Sequence, residues 1–201
     1  MKRTKEQQEA TKKLLLEVAG YLFEKDGYYH TSLEHIASSA WVTRGAIYWN
    51  FSGKLDLLEK LFEHNHNKLA VLLELDFSKT VSAKQRLRNI FEIYFWLLQN
   101  DESFKQIERL QNFEKFIGEE KVLLDKFSST DLDELWVYIE EIYKQWILTL
   151  EFKNNFLPEK FAKSFITFFV WVVFTYLWSD NFDENRDEVL TSLDIFLKGI
   201  E

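Results

Sequence analysis

Proline and glycine, the residues that interrupt helices and form tight turns, are scarce in this sequence. Its 201 residues include one proline and six glycines, which leaves few positions where β-turns would form readily. Apolar residues recur instead every three or four positions, as in Leu15, Val18 and Leu22. That period is typical of amphipathic helices, so the sequence predicts an all-α fold of about nine helices.

Capping and turn residues mark where several of these helices begin and end. Gly27 is suited to the C-terminal end of the first helix, because glycine adopts a left-handed backbone without strain. Thr31 and Glu34 form a capping-box pattern for a short helix through Ala40, and Thr43 can cap the next helix. The later helices are predicted at about 44–50, 54–75, 82–100, 102–116, 119–127, 131–153, 158–179 and 184–199.

The composition excludes several classes of protein. Hydrophobic residues make up 46% of the chain and charged residues 29%, which is typical of a globular protein. The absence of cysteine excludes a disulfide framework, a thiolate zinc site and a cysteine nucleophile. The basic N-terminus leads directly into an amphipathic helix, so we expect no secretory signal and predict a cytoplasmic protein.

One uncharged apolar segment, residues 164–179, has to be distinguished from a membrane span. It is shorter than the roughly 18–20 apolar residues that a spanning helix needs. Pro158 precedes it at a position suited to the first turn of a helix, where its missing N–H would have no partner anyway. We therefore expect a helix buried in a core or a dimer interface, and no membrane association.

The charge distribution is uneven along the chain. The net charge of −8 argues against general nucleic-acid binding. Residues 1–60, however, hold nine Lys or Arg and eight Asp or Glu, whereas residues 61–201 hold sixteen and twenty-five. The resulting net charges of +1 and −9 favour a DNA-facing N-terminal part and an acidic remainder.

Residues 31–58 predict a helix-turn-helix unit. Two short helices are separated by a turn of about three residues. Ile36 and Ala37 are expected to face inward on the first short helix, and Val42 and Ile47 supply the apolar contacts of the second. The first long helix would complete a three-helix unit with its own small core.

The second short helix carries side chains suited to the major groove of DNA. Arg44 can donate to guanine or phosphate, while Gly45 and Ala46 keep the helix thin, with Ala46 able to meet a thymine methyl. Tyr48 is expected to point outward, and Trp49 is equally compatible with an outward or an inward position. Thr43, Asn50 and Lys54 are candidate base or phosphate contacts, with Lys54 placed beside a helix N-terminus. Lys2, Arg3 and Lys5 form either a minor-groove arm or a solvated tail.

The region resembles the DNA-binding signature of the TetR family, especially the branch that represses multidrug efflux pumps. The resemblance covers about the first 60 residues and rests on Thr31, Ile36, Ala37, Ala40, Val42, Thr43, Gly45, Ala46, Ile47, Tyr48, Phe51, Lys54 and Leu58. It implies a homodimer on a palindromic operator, residues 43–50 as the recognition helix, and a C-terminal cavity for an inducer. The expected domains are 1–54 for DNA binding and 55–201 for ligand binding and dimerisation, joined by the helix at about 54–75. The full predicted DNA-contacting set is Thr31, Thr43, Arg44, Gly45, Ala46, Tyr48, Trp49, Asn50 and Lys54.

Three residues depart from the family pattern. Trp41 stands where the family usually has a glycine in the turn, and a bulky side chain there is strained if the backbone is left-handed. Asn50 replaces the usual histidine but can still donate to phosphate. Gly53 stands where a polar helix cap is common, so we expect a looser start to the next helix.

The C-terminal part is rich in aromatic residues, which serve either as plain core packing or as the lining of a cavity for a flat or apolar ligand. On helices that border the ligand cavity in the TetR family, the candidate ligand-binding residues are Trp96, Phe113, Tyr143, Trp146, Phe168 and Trp171. The last two long helices form a four-helix bundle across a two-fold axis in that family. The resemblance thus predicts a self-complementary interface containing Phe165, Phe169, Val172, Tyr176, Leu193 and Phe196.

Metal and catalytic sites are not expected. His64 and His66 are two positions apart and point to different sides of a helix, which makes them poor co-ligands. The sequence also lacks a nucleotide-binding glycine loop and an HExxH pattern. We therefore predict neither an enzyme nor a cofactor.

The leading hypothesis is a regulator, most simply a repressor, released from its operator by a small apolar or aromatic inducer. The alternative is a helical protein-interaction module with a vestigial DNA-binding head.

Overall fold

The structure, a computed structural model, describes residues 5–77, 81–148, 156–178 and 186–200. Within these ranges it contains nine helices and no strand, which confirms the predicted all-α fold. The helices are α1 (Lys5–Asp26), α2 (Leu33–Ser39), α3 (Arg44–Asn50), α4 (Lys54–Phe77), α5 (Ala83–Asn100), α6 (Glu102–Phe113), α7 (Gly118–Leu148), α8 (Pro158–Trp178) and α9 (Arg186–Ile200).

Helix boundaries mostly follow the predicted signals, with one exception in α7. Gly27 follows α1 with a φ of 85°, and Pro158 is the first residue of α8. The break predicted between residues 127 and 131 is wrong, because α7 is continuous there. The Ser129 hydroxyl donates to the Lys126 carbonyl at 2.9 Å, so a polar residue that often favours turns is accommodated inside the helix.

Packing divides the chain into two compact units. The N-terminal unit comprises residues 1–67 and 101–125, and the C-terminal unit comprises 68–100 and 126–201. The N-terminal unit is thus larger than the domain predicted at 1–54, because α6 packs against α1 and Arg109 pairs with Glu24 at 3.4 Å. The functional division at residue 54 stays a prediction, since packing units and functional domains need not coincide.

The N-terminal unit has an apolar core shared by α1, the helix-turn-helix and the start of α4. Ile36 and Ile47, the inward residues of the two short helices, are fully buried. Gly20 of α1 faces this core, where an added Cβ would lie in ordinary van der Waals contact, 3.7 Å from both Leu61 and Ile107. The remaining fully buried members of the core include Leu15, Phe23, Leu57 and Leu58.

The C-terminal unit has an aromatic core. The Phe91 ring lies 5.0 Å from Phe169 and 5.7 Å from Phe165 in edge-on contacts, and Tyr143 stacks on Phe161 at 4.1 Å. Edge-on and offset ring pairs add stability beyond the area they bury. An ion pair between Arg88 and Asp194 joins α5 to α9.

The residues predicted to form the dimer interface are mostly buried within the single chain, so the structure does not support that interface. Phe165, Phe169, Val172, Tyr176 and Leu193 are buried within a single chain, and Phe196 is half-buried with its ring stacked on Phe168 at 4.8 Å. They belong to the core of the C-terminal unit, because that side of α8 packs toward α5 and α9. A face of α8 and α9 that the prediction did not use carries exposed apolar residues, namely Val170, Trp171, Phe174, Trp178 and Ile195.

Helix α8 also bears on membrane association. By length and composition alone it is the one helix, among the residues described, that could cross a membrane. Half of its most apolar stretch is buried inside the fold, and a single helix of this kind is weak evidence for a membrane span.

Candidate nucleic-acid interface

The first short helix of the helix-turn-helix is capped one residue later than predicted. Ser32, not Thr31, accepts the backbone N–H of His35 at 3.1 Å. The Thr31 hydroxyl is buried and donates to the carbonyls of Gly27 at 3.0 Å and Leu22 at 3.3 Å. Thr31 therefore stabilises the turn after α1, and the prediction that its side chain contacts DNA is wrong for this conformation.

The turn between α2 and α3 is closed by two backbone hydrogen bonds. The N–H of Trp41 donates to the Ser38 carbonyl at 3.1 Å, and the N–H of Val42 donates to the Ala37 carbonyl at 3.0 Å. This pair of bonds is a Schellman motif, which requires a left-handed residue after the helix. That residue is Trp41, with a φ of 55°, at a cost of about 1–2 kcal/mol relative to glycine.

Helix α3 begins at the predicted cap. Thr43 is in extended conformation, and its hydroxyl accepts the N–H of Ala46 at 3.2 Å. Ala46 is buried against the unit, so its predicted contact with a thymine methyl is wrong. Asn50 is half-buried, and its side-chain amide donates to the Ala46 carbonyl of its own helix at 2.7 Å.

The outward face of α3 brings together Arg44, Gly45, Tyr48 and Trp49. The position of Trp49, which the sequence left open, is outward, with most of its surface exposed. The Arg44 guanidinium lies 5.6 Å from the centre of the Tyr48 ring. Such an exposed cation and aromatic pair on a thin helix is suited to insertion into a major groove.

Glu34 is a member of this surface that the sequence prediction missed. Its Oε1 atom lies 3.0 Å from Nη2 of Arg44 and accepts the Tyr48 hydroxyl at 2.9 Å. The hydrogen bond from its own backbone N–H, then that from Tyr48, then the charge of Arg44 hold the pKa of Glu34 below its usual value. Nothing in the sequence indicates this pairing, because it depends on how α2 packs beside α3.

Lys54 at the start of α4 lies against two tyrosines. Its Nζ atom is 4.1 Å from the centre of the Tyr28 ring and 6.0 Å from that of Tyr29. Partial burial lowers the pKa of Lys54, and the charges of Glu120 and Glu114 oppose that shift. The Lys54 ammonium group thus lies over two aromatic faces, while its predicted phosphate contact stays a prediction.

A side-chain contact supports the chain just before α4, beside Gly53. The Asp56 carboxylate accepts both the backbone N–H of Ser52 at 2.7 Å and its hydroxyl at 3.1 Å. A carboxylate that reaches back to the N-terminal turn satisfies donors that would otherwise lack a partner. Asp56 thus fixes the residue before Gly53, and the looser start of α4 stays a prediction.

The candidate ligand-binding residues are dispersed in the C-terminal unit. Tyr143 and Trp146 are buried around Phe161, whereas Trp96 is exposed on α5. Phe168 and Trp171 line a surface depression of about 430 Å³ together with Lys163, Ser164 and Thr167. The side chain of Phe113 lies outside the described residues, as do Lys2 and Arg3.

No group of three or more potential metal ligands occurs among the described parts of the chain. His64 and His66 both lie on α4.

The helix-turn-helix region resembles known bacterial regulators. The model described as bacterial regulatory proteins, tetR family, matches residues 15–61. The chain is 41% identical to the HTH-type transcriptional regulator AcrR of Shigella flexneri over 76 residues, which cover 38% of this chain and 35% of AcrR. The match therefore spans about a third of the length of that relative.

Two solved structures share the fold over nearly the whole chain. FadR from Bacillus subtilis, in complex with stearoyl-CoA, has a TM-score of 0.72 and 21% identity, and the match covers 90% of this chain and 96% of FadR. NalD from Pseudomonas aeruginosa, the secondary repressor of the MexAB-OprM multidrug efflux pump, has a TM-score of 0.71 and 21% identity, covering 92% and 96%. The fold and the exposed second short helix, α3, define an all-α helix-turn-helix protein. Residues 15–61 carry the helix-turn-helix sequence pattern of the TetR family of bacterial regulatory proteins.

Proposed function

We propose that this protein is a cytoplasmic transcriptional repressor that binds operator DNA through α3. The observation that carries the proposal is the outward face of α3, where Arg44, Tyr48 and Trp49 project from a helix whose N-terminal end is capped by Thr43. In helix-turn-helix proteins the N-terminal end of the second helix contacts base edges. Repression is supported by the name of NalD, which is a repressor.

The proposal includes a homodimer, but with a different interface from the one predicted. The exposed apolar face of α8 and α9, which contains Trp171, Phe174 and Trp178, is available to a second copy. Large exposed aromatic residues are typical of the centre of an interface, and two copies of one face can pair about a two-fold axis. Trp171, predicted as a ligand contact, is assigned to the interface in this proposal.

The proposed inducer is a small, largely apolar molecule that binds within the C-terminal unit. FadR was solved with stearoyl-CoA, a ligand with a long apolar chain. Buried aromatic residues here, with Tyr143 and Trp146 as the predicted contacts, match that chemistry. Helix α4 contributes residues to both units, and we propose that it transmits the effect of the ligand to α3.

A helical protein-interaction module with a vestigial DNA-binding head is the second candidate function. The observation that favours it is Glu34, whose carboxylate already binds both Arg44 and Tyr48. The net charge of −8 adds a general repulsion from DNA.

Selection from a pool of random duplex DNA distinguishes these two functions. A repressor of this kind is expected to enrich a palindrome of two half-sites, with an affinity that falls linearly with the logarithm of salt concentration. The full chain at low salt is the protein to use, and the upstream region of its own gene is a second target. Failure to enrich any sequence would favour the interaction module.

Replacing Glu34 with glutamine is expected to tighten binding to the selected DNA. The change removes a carboxylate that faces the phosphates and frees Arg44 from an exposed ion pair. Because such pairs contribute little, we expect a gain of about two- to fivefold, measured by fluorescence anisotropy at low salt.

Glu17→Gln is the matched control for this variant. Glu17 of α1 is as exposed as Glu34, at 45% against 46% for the side chain, and it too pairs with a basic residue, Lys13. The control should bind DNA like the original protein. If both variants gained equally, the gain would reflect net charge and not the position of Glu34.

A further inference from the structure

Trp41 combines two unfavourable features in the turn that precedes α3. Its backbone has a φ of 55°, a left-handed conformation that residues other than glycine and asparagine rarely adopt. Its side chain is 96% exposed, so a large apolar surface remains in water. Glycine at this position would avoid both costs, and the turn itself needs only the backbone hydrogen bonds described above.

The location of Trp41 indicates what the indole is available to contact. It lies two residues before Thr43, the cap of α3, and three before Arg44. The indole is thus exposed beside the end of the recognition helix that enters the groove first. Strained residues that persist without an internal use are concentrated at binding sites.

The chemistry of the indole matches the sugar–phosphate backbone. Its N–H is a hydrogen-bond donor, and the ring has no accepting atom, whereas a phosphate offers only acceptors. The flat apolar ring can cover the apolar side of a deoxyribose. Contacts of this kind position a protein on the duplex without reading its sequence.

We propose that Trp41 binds the DNA backbone at the edge of each half-site, with its N–H donated to a phosphate and its ring packed on the adjacent sugar. The inference rests on the proposed function, because it needs α3 to enter the major groove. The contact holds the leading end of α3 in place. Since the indole is uncharged, it contributes affinity without releasing a counterion.

Three substitutions at this position test the proposal. Trp41→Gly and Trp41→Asn keep the left-handed turn, since both residues adopt it readily, but they remove the indole. Both are expected to bind the selected DNA about tenfold more weakly, the loss expected for one hydrogen bond to a charged group. Trp41→Phe keeps an apolar ring without the N–H. Its affinity for the selected DNA should therefore lie between that of the Gly and Asn variants and that of the original protein.

Two further measurements separate a DNA contact from a role in folding. The dependence of affinity on salt should be unchanged in all three variants, because no charge is removed. Trp41→Gly should melt higher than the original protein, by roughly 2–8 °C for a chain of this size, because it relieves the strain. A variant that is more stable but binds less tightly cannot owe its weaker binding to unfolding.

Tyr21→Asn serves as the control, since Tyr21 is an exposed aromatic residue of α1 in the same unit; it should bind like the original protein. If Trp41→Gly and Trp41→Asn bound as tightly as the original protein, Trp41 would act only in the turn. This inference would then be overturned, while the proposed function would be unaffected. If the original protein bound no DNA, the proposed function and the inference would fail together.

Discussion

Replacing Arg44 with alanine is expected to weaken binding to the selected operator by about 10- to 100-fold, as for the loss of one base-reading arginine. Its guanidinium is exposed on the outward face of α3, and its ion pair with Glu34 is a surface pair that exchanges readily for DNA. The slope of log affinity against log salt concentration should become shallower by about 1, the change expected when one charged contact with DNA is lost. Fluorescence anisotropy over a salt series measures both quantities.

Lys144→Ala is the charge-matched control for Arg44→Ala. Lys144 lies on α7 in the C-terminal unit and also pairs with carboxylates, those of Glu140 and Glu141. It changes the net charge by the same amount, so it should leave operator affinity and salt dependence essentially unaltered. Equal losses in the two variants would mean that Arg44 acts only through total charge.

The neighbouring tyrosine offers a second, independent measure of the same surface. Tyr48→Ala should weaken binding without unfolding the protein, and Tyr21→Ala is its counterpart. The two tyrosines are similarly exposed, at 45% and 47%, and each lies under a cation at 5.6 Å or 5.5 Å. Unchanged affinity in both Arg44→Ala and Tyr48→Ala, with the original protein binding normally, would refute the assignment of α3 as the recognition helix.

Replacing Phe165 with alanine is expected to lower the free energy of unfolding by about 3–5 kcal/mol. Phe165 is fully buried, and its ring contacts Phe91, Phe161 and Phe196 at 5.7, 6.2 and 6.1 Å between centres. Deleting it leaves a cavity in the aromatic core that the neighbouring rings cannot fill. Chemical denaturation followed by circular dichroism measures the loss.

Trp171→Glu, on an exposed face of the same helix, should behave differently. Trp171 is 64% exposed in the single chain, so its replacement should leave the fold intact. It would place two like charges near a two-fold axis and remove a central aromatic contact, and we expect dimerisation to weaken by about 30-fold or more. Sedimentation velocity over a range of concentrations detects the change, and Val122→Glu, at a site 69% exposed on α7, is the control.

The pair of variants decides which side of α8 faces the second copy. If Phe165→Ala dissociated the dimer while the stability of each chain was unchanged, the interface predicted from the sequence would be correct after all. If Trp171→Glu remained as dimeric as the original protein, the interface would lie on neither the α8 nor the α9 residues proposed here.

Local features of this protein follow from the sequence because they depend on neighbours along the chain. A cap such as Thr43 bonds to an N–H three residues away, and Gly27 and Pro158 mark helix ends through their own backbone preferences. The left-handed strain at Trp41 was likewise predictable from the expected glycine position. The helix-turn-helix, its recognition helix and the family resemblance all rest on such short-range patterns.

The tertiary structure decided what each helix face contacts. Periodicity showed that α8 is apolar on several sides, but only the packing of α5 and α9 determined that Phe165 is core and Trp171 is exposed. In the same way, Thr31 and Ala46 are buried and Trp49 faces outward, although their positions in the sequence suit DNA contact equally well. Glu34 joined the surface only when the fold placed it beside Arg44. The physical reason is that side chains on one helix share a period, whereas burial depends on neighbours that are distant in sequence.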